Sequence, residues 1–177
     1  MRCTVLLLAL FFCAPASAGS VLPGKVTRVL DGDTIDVALS SGRVRVRLQG
    51  IDAPEHDQPD GREARQWLQH RLIDHAVQLE PISQDRYERM VAVVHADGAV
   101  VNEELLQAGH AWAYRHYLRR ADRHHCELEE RARGARIGLW ALPVPHAPWQ
   151  YRETGSKGPF SDFSGETARD CRRAAGR

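Results

Sequence analysis

The sequence predicts an α+β fold, a small five-stranded β-barrel with three α-helices packed on it. Three observations predict it: short apolar runs alternate with period two between tight turns, one amphipathic helical stretch interrupts them, and two more helical stretches follow. The first strand starts at Gly24 with Val26 and Val29 or Leu30. After the turn Asp31-Gly32-Asp33, Ile35, Val37 and Leu39 make a second strand. After Ser40-Ser41-Gly42, Val44, Val46 and Leu48 make a third, whose opposite face is Arg43, Arg45 and Arg47. Asp60 with Glu63 three residues on forms a capping-box signal, and Ala64, Trp67, Leu68 and Leu72 follow at helical spacing to about His75. Two more strands are expected at residues 77–80 and 90–94, with Ala96-Asp97-Gly98 as a hairpin turn. Residues 102–108 read as a short helix closed by Gly109, and residues 122–135 as a third helix with His125, Leu128 and Ala132 on its inner stripe. Pro143, Pro145 and Pro148 end the domain, and residues 153–177, rich in Gly, Ser and charge, read as a flexible tail.

The 177 residues are 43% hydrophobic and 27% charged, a globular balance for one domain. With 24 Lys plus Arg against 23 Asp plus Glu, the charge of +1 excludes a protein that grips nucleic acid or an anionic membrane by bulk charge alone. Any anion binding is therefore local. Lys25 and Lys157 are the only lysines, so arginine supplies the cations, and arginine suits bidentate phosphate contacts. Residues 1–18 carry Arg2, an apolar run from Val5 to Cys13 and the small triplet Ala16-Ser17-Ala18, the pattern of a cleaved secretory leader. The run is too short for a membrane anchor. Its removal takes Arg2 and leaves a formally neutral chain, expected in the periplasm or outside the cell, with no membrane association and as a monomer. Cys3 and Cys13 leave with it. Cys126 and Cys171 then remain in an oxidising compartment, open either to a disulfide or to one buried thiol and one tail thiol. Their spacing fits no zinc pattern. The nine histidines, His124-His125 among them, read as surface or core residues.

The informative segment is Asp31-Gly32-Asp33-Thr34-Ile35-Asp36-Val37, then a nine-residue gap, then Arg47-Leu48-Gln49-Gly50-Ile51-Asp52-Ala53-Pro54-Glu55. A second segment is Asp85-Arg86-Tyr87-Glu88-Arg89. Together with Asp97-Gly98, Val101-Asn102-Glu103, Gly109, Gly138-Leu139-Trp140 and Pro148-Trp149, these closely resemble the staphylococcal, thermonuclease-like nuclease family from about Gly24 to Arg152. The resemblance implies an OB-fold nuclease domain at residues 22–152. It also implies a Ca²⁺-dependent phosphodiesterase that cuts DNA and RNA with little sequence preference and leaves 3′-phosphate ends.

The residues agree with that implication. Asp33 ends a turn and Asp52 ends a strand, so their carboxylates can converge at one barrel edge as the hard oxygen ligands that Ca²⁺ takes; the resemblance adds the backbone carbonyl of Ala53. Glu55, restrained by Pro54, would orient or deprotonate the attacking water. Arg47 and Arg89 would fork onto the non-bridging phosphate oxygens, where charge builds as water adds to phosphorus. Asp31 is expected to organise its turn and Asp36 to be solvated. By resemblance, Arg86 and Tyr87 would hold a terminal phosphate, and Tyr117, with Tyr114 one residue from the family position, would border a base pocket. Trp112 and Tyr114 equally suit core packing. Glu88 stands where the family has glycine, and acts either through backbone geometry or through charge. The rival readings are a binding module of the same fold that cuts weakly or not at all, and a calcium-stabilised envelope protein.

Overall fold

The structure is a computed structural model that describes residues 21–175. The leader expected at residues 1–18 lies outside the described residues. In chain order the elements are β1 (Leu22–Asp31), β2 (Thr34–Leu39), β3 (Gly42–Leu48), the two-residue β4 (Ile51–Asp52) and helix α1 (Gly61–Leu72). Then come β5 (Ala76–Gln84), β6 (Met90–Ala96), β7 (Ala99–Val100), α2 (Val101–Gln107), β8 (Trp112–Ala113) and α3 (His125–Gly134). Two further helices follow, α4 (Pro148–Thr154) and α5 (Ala168–Ala174).

β1 pairs antiparallel with β2 and with β5, β2 with β3, and β5 with β6. The parallel pairing of β3 with β6, Val46 opposite Met90 and Leu48 opposite Ala92, closes the five strands into a barrel. The alternation seen in the sequence has its cause here. Val26, Val29, Ile35, Val37, Val46, Leu48, Leu79 and Val94 are all buried in one core, each contributing about 1.5 to 3 kcal/mol by leaving water. Ala64, Leu68 and Leu72 bring the buried face of α1 onto that core. The turn Asp97-Gly98 has positive φ at both residues, 52° and 80°, the geometry of a two-residue hairpin.

Several local expectations are corrected. The capping box at Asp60 does not form. Asp60 has φ 70°, outside the extended region an N-cap needs, and its carboxylate lies 2.9 Å from His110 Nδ1 instead. Asp36 is buried rather than solvated, because the Arg45 Nε opposite it in the β2–β3 ladder donates a 2.9 Å hydrogen bond to its carboxylate. β5 runs past Glu80 to Gln84, with Pro81 at a register shift, where a strand tolerates a missing N–H.

The flexible tail is the largest correction. The segment after Arg152 folds back on α3: Cys171 of α5 is bridged to Cys126, and both are fully buried. Glu166 pairs with the buried Arg115, Arg172 with Glu127, and Phe163 meets the Trp112 ring edge-on at 5.3 Å. Thr167 caps α5 through a reciprocal pair of bonds with Asp170. The charges that suggested solvation are matched by partners far away in sequence, so composition alone reads them wrongly.

Two predictions follow from these contacts. Replacing both Cys126 and Cys171 by alanine lowers unfolding stability by about 2 to 4 kcal/mol, the chain-entropy scale for this loop, as read from denaturant midpoints; an unchanged midpoint would show that α5 is undocked. Glu88 has φ 62°, in the left-handed region that favours glycine, and its carboxylate makes no hydrogen bond among the described residues, so a strained backbone and a free charge coexist at this position. Glu88→Gly is therefore expected to stabilise by about 1 kcal/mol in the same measurement, while Glu88→Gln leaves stability unchanged. Equal effects of the two would assign the strain to the charge.

Candidate active site

The barrel closure builds the site. Arg47 on β3 lies opposite Val91 of β6, and Arg89 stands two residues before Val91, so both arginines project from one rim on the face away from the core. Beyond β3 the chain turns at Gly50, and β4 pairs with β8, Ile51 opposite Ala113 and Asp52 opposite Trp112. Tyr114 N–H continues that ladder to the Gly50 carbonyl at 3.0 Å, which brings Tyr114 and Tyr117 beside the carboxylate loop. A Cβ on Gly61 would sit 1.8 Å from the Glu55 carbonyl oxygen, so only glycine lets α1 start directly against this loop. Gln58 holds the loop from both sides: its backbone N–H donates to the Glu55 carbonyl and its side-chain oxygen accepts the Glu55 N–H.

The resulting cleft has a volume of about 520 Å³, and nine of the ten residues singled out from the sequence line it. Asp52 is the exception. It is 0% exposed and forms the floor. Arg47, whose side chain is 12% exposed, donates to Asp33 Oδ2 at 2.9 Å and to Asp52 Oδ1 at 2.7 Å, and also to the carbonyls of Leu48 and Ile51. Asp33 accepts further bonds from the Ala53 N–H and the Thr34 hydroxyl. Asp31 Oδ1 accepts the Asp33 N–H at 3.1 Å and so organises the turn.

Burial and the neighbouring Asp33 push the Asp31 carboxyl up to about 7. Burial pushes Asp52 up to about 6 against the opposing pull of Arg47 and Arg152. Arg47 and Arg152 stay charged, because their carboxylate partners outweigh the burial that opposes their charge. Ionised, Asp31, Asp33, Asp52 and Glu55 carry four negative charges against the two guanidinium groups they share. Arg89 does not change that balance. Its Nε donates to Asp85 Oδ2 at 2.7 Å, and burial of Asp85 is outweighed by bonds from Arg89 and Tyr87, which hold its carboxyl below the ordinary value. With all four ionised the local excess is two negative charges, and one when Asp31 holds its proton, on oxygen donors only.

Arg152 is the residue the sequence reading missed. From α4 it donates to Asp52 Oδ2 and to Glu55 Oε1, each at 2.8 Å, and to the Tyr114 hydroxyl at 3.3 Å. Pro148 at the first position of a helix, followed four residues on by arginine, is the signal that could have found it. Also missed were two buried amides. Asn102 donates to the Gln49 carbonyl and accepts the Val94 N–H, while Gln49 donates to the Tyr117 carbonyl and to Asp122. They tie α2, the barrel and the tyrosine segment together behind the cleft.

The rim is aromatic and cationic. Tyr87 and Tyr117 are 63% and 65% exposed, Arg86 lies over the Tyr87 ring at 4.8 Å, and Tyr114 stacks on Trp149 with rings 5.7 Å apart and 11° between planes. Trp112, by contrast, is core. Flat exposed rings beside guanidinium groups suit a ligand with planar bases and phosphates. The oxygen-only donors and the negative excess suit a hard divalent cation, which Asp33, Asp52 and the Ala53 carbonyl would hold.

Comparison with known proteins agrees with this geometry. The family model for staphylococcal nuclease homologues matches residues 45–142. A micrococcal nuclease of Shigella flexneri is 42% identical over 138 residues, 73% of this chain and 79% of its own length. Protein ParB of Escherichia coli is 39% identical over 161 residues, 86% of this chain and 90% of its own. An uncharacterized endonuclease of Escherichia coli O157:H7 is 38% identical over 153 residues, 86% and 98% of the two chains. Arg47, Arg89, the loop from Asp52 to Glu55 and the closing β3–β6 pair all lie within the residues that the family model matches, and the chain belongs to the staphylococcal nuclease homologue family.

Proposed function

We propose that the cleft hydrolyses phosphodiester bonds of DNA and RNA with little sequence preference, using Ca²⁺ and leaving 3′-phosphate ends. Family membership supports the endonuclease activity itself. The observation that carries the finer reading is the carboxylate cluster in which Asp31, Asp33 and Glu55 line the same cleft as Arg47 and Arg89, with Asp52 buried beside Arg47. Bound by Asp33, Asp52 and the Ala53 carbonyl, Ca²⁺ would supply Lewis acidity and a template for one phosphate oxygen.

The rest is done by the chain. Glu55, held by Arg152, orients or deprotonates the water that attacks phosphorus, and the P–O5′ bond opposite it breaks as the 5′ oxygen takes up a proton. Arg47 and Arg89 bind the non-bridging oxygens as their charge grows. Asp33 and Asp52 hold Arg47 in place before substrate arrives, and Asp85 does the same for Arg89. Arg86 and Tyr87 meet a neighbouring phosphate, and Tyr114 and Tyr117 border the base; contact with ring faces rather than base edges is what makes the cut insensitive to sequence. Secretion or periplasmic residence is supported by the leader pattern and by the Cys126–Cys171 bridge, and the protein is proposed to act there as a monomer.

The direct test is incubation of the mature protein with end-labelled single-stranded DNA and RNA, with Ca²⁺ or with chelator, and analysis of the product ends. Cleavage of both with Ca²⁺ alone, leaving 3′-phosphates, is expected; binding without cleavage would favour the binding-module reading. Arg47→Ala, Glu55→Ala and Arg89→Ala each lose at least ~10²-fold in turnover while remaining folded. Arg152→Ala loses about 10- to 10²-fold, the scale for releasing a positioned group; near-normal turnover would leave Arg152 without a role. A proton and a cation compete for Asp52, so Ca²⁺ affinity measured calorimetrically falls as pH drops through about 6. Equal affinity at pH 8 and pH 5 would remove Asp52 from the metal site.

A further inference from the structure

We propose that Glu103, His124 and His125 form a second metal site, separate from the carboxylate cleft, for a late first-row divalent ion such as Zn²⁺. One ligand atom from each of the three side chains lies within 4.8 Å of the other two. Glu103 stands in the first turn of α2, His124 directly before α3, and His125 is the first residue of α3. The packing of α2 against α3 therefore brings the carboxylate to the imidazoles, rather than a local sequence motif, which is why histidine spacing alone points to surface and core positions.

Three features distinguish this cluster from a chance ion pair. Both histidines have one ring nitrogen on a backbone carbonyl, His124 Nδ1 on Ala121 at 3.0 Å and His125 Nδ1 on Gly50 at 3.3 Å. A carbonyl only accepts, so each Nδ1 carries the proton; the neutral His125 ring keeps a lone pair on Nε2, and His124 gives up the Nε2 proton it donates to Glu103 when a metal takes its place. This is how a metal-ligating histidine is usually oriented, with its second nitrogen donating to a carbonyl. Second, His124 Nε2 is already 2.9 Å from Glu103 Oε1, and the two imidazole rings meet nearly edge to face with centroids 4.8 Å apart. Ligands of a tetrahedral Zn²⁺ stand about 3.4 Å from one another, so the widest edge closes by roughly 1.4 Å or less. Half-exposed His124 can supply that movement. Third, the buried partner is rigid: His125 is 3% exposed, and the next residue, Cys126, is bridged to α5.

Two imidazoles and one carboxylate select a different ion from the one that suits the cleft. Imidazole favours Zn²⁺, Cu²⁺ and Ni²⁺, whereas oxygen-only donors suit Ca²⁺. Three protein ligands also leave a position for water. The His125 bond to Gly50 connects this site to the turn that precedes Asp52, so a metal here would tie α2, α3 and the active-site loop together from behind.

The experiment is equilibrium dialysis of the full mature protein against Zn²⁺, with Ca²⁺ in large excess to occupy the oxygen site, repeated with Co²⁺ as a visible-absorbing substitute. His125 is buried, so the variants are Glu103→Gln and His124→Ala, each checked for folding by its thermal transition. Wild type is expected to bind one Zn²⁺ that each variant binds at least ~10-fold more weakly, and to give the intense absorption of a low-coordinate Co²⁺ that both variants lose. Added Zn²⁺ is also expected to raise the melting temperature of wild type and not of the variants. Zn²⁺ binding equal in wild type and variants, or no Zn²⁺ bound by wild type, would overturn the site and leave Glu103 and His124 a surface ion pair.

Discussion

The guanidinium of Arg47, shared between Asp33 and Asp52, is the interaction on which the site depends. Three segments meet there: the turn after β1, the end of β3 and the end of β4. The barrel registers put them within hydrogen-bond distance. Such a cluster is costly to bury. Asp52 is fully enclosed, and its carboxyl is displaced to about 6 even with two arginines beside it. Replacing a buried ion pair by apolar residues often leaves a protein as stable or more so, so stability is a poor reason for keeping this one. Under the proposed function its use is preorganisation: Arg47 is charged, held by both carboxylates and already at the cleft wall when a phosphate arrives.

Everything around the cluster restricts its motion. The β3–β6 pair sets the spacing of the Arg47 and Arg89 rim. The β4–β8 pair fixes Asp52 from below, and the close approach of Gly61 fixes the Glu55 loop from the side. Arg152 spans Asp52 and Glu55 from α4, and α4 is in turn packed through Trp149 against Tyr114 and Phe163. The C-terminal segment thus belongs to the site's support. A disulfide to α3 and the Arg115–Glu129–Glu166 ion cluster anchor it where the apolar content of its own sequence is too small to do so.

What was legible in the sequence was whatever repeats locally. Alternation at Ile35, Val37 and Leu39 or Val44, Val46 and Leu48 marks strands because each face has one environment over several residues. The site segments were legible because the chemistry needs their residues at fixed spacing within one loop. Three kinds of information were not local. Arg152 reaches Asp52 across 100 residues, so no window contains both. Glu166 and Arg172 look solvated until their partners Arg115 and Glu127 are placed. Asp60 has the residue type of a cap, but its backbone is left-handed and its carboxylate lies on His110, 50 residues away. In each case a tertiary contact overrides a sound local rule.

The central claim is that the uncompensated negative charge of the Asp31, Asp33, Asp52 and Glu55 cluster exists to hold a cation beside Arg47. Anomalous scattering from crystals of the protein soaked in Ca²⁺ tests this most directly. The account predicts a strong peak within coordination distance, about 2.3 to 2.6 Å, of carboxylate oxygens of both Asp33 and Asp52. A peak elsewhere, or none at Ca²⁺ concentrations that support cleavage, would contradict it.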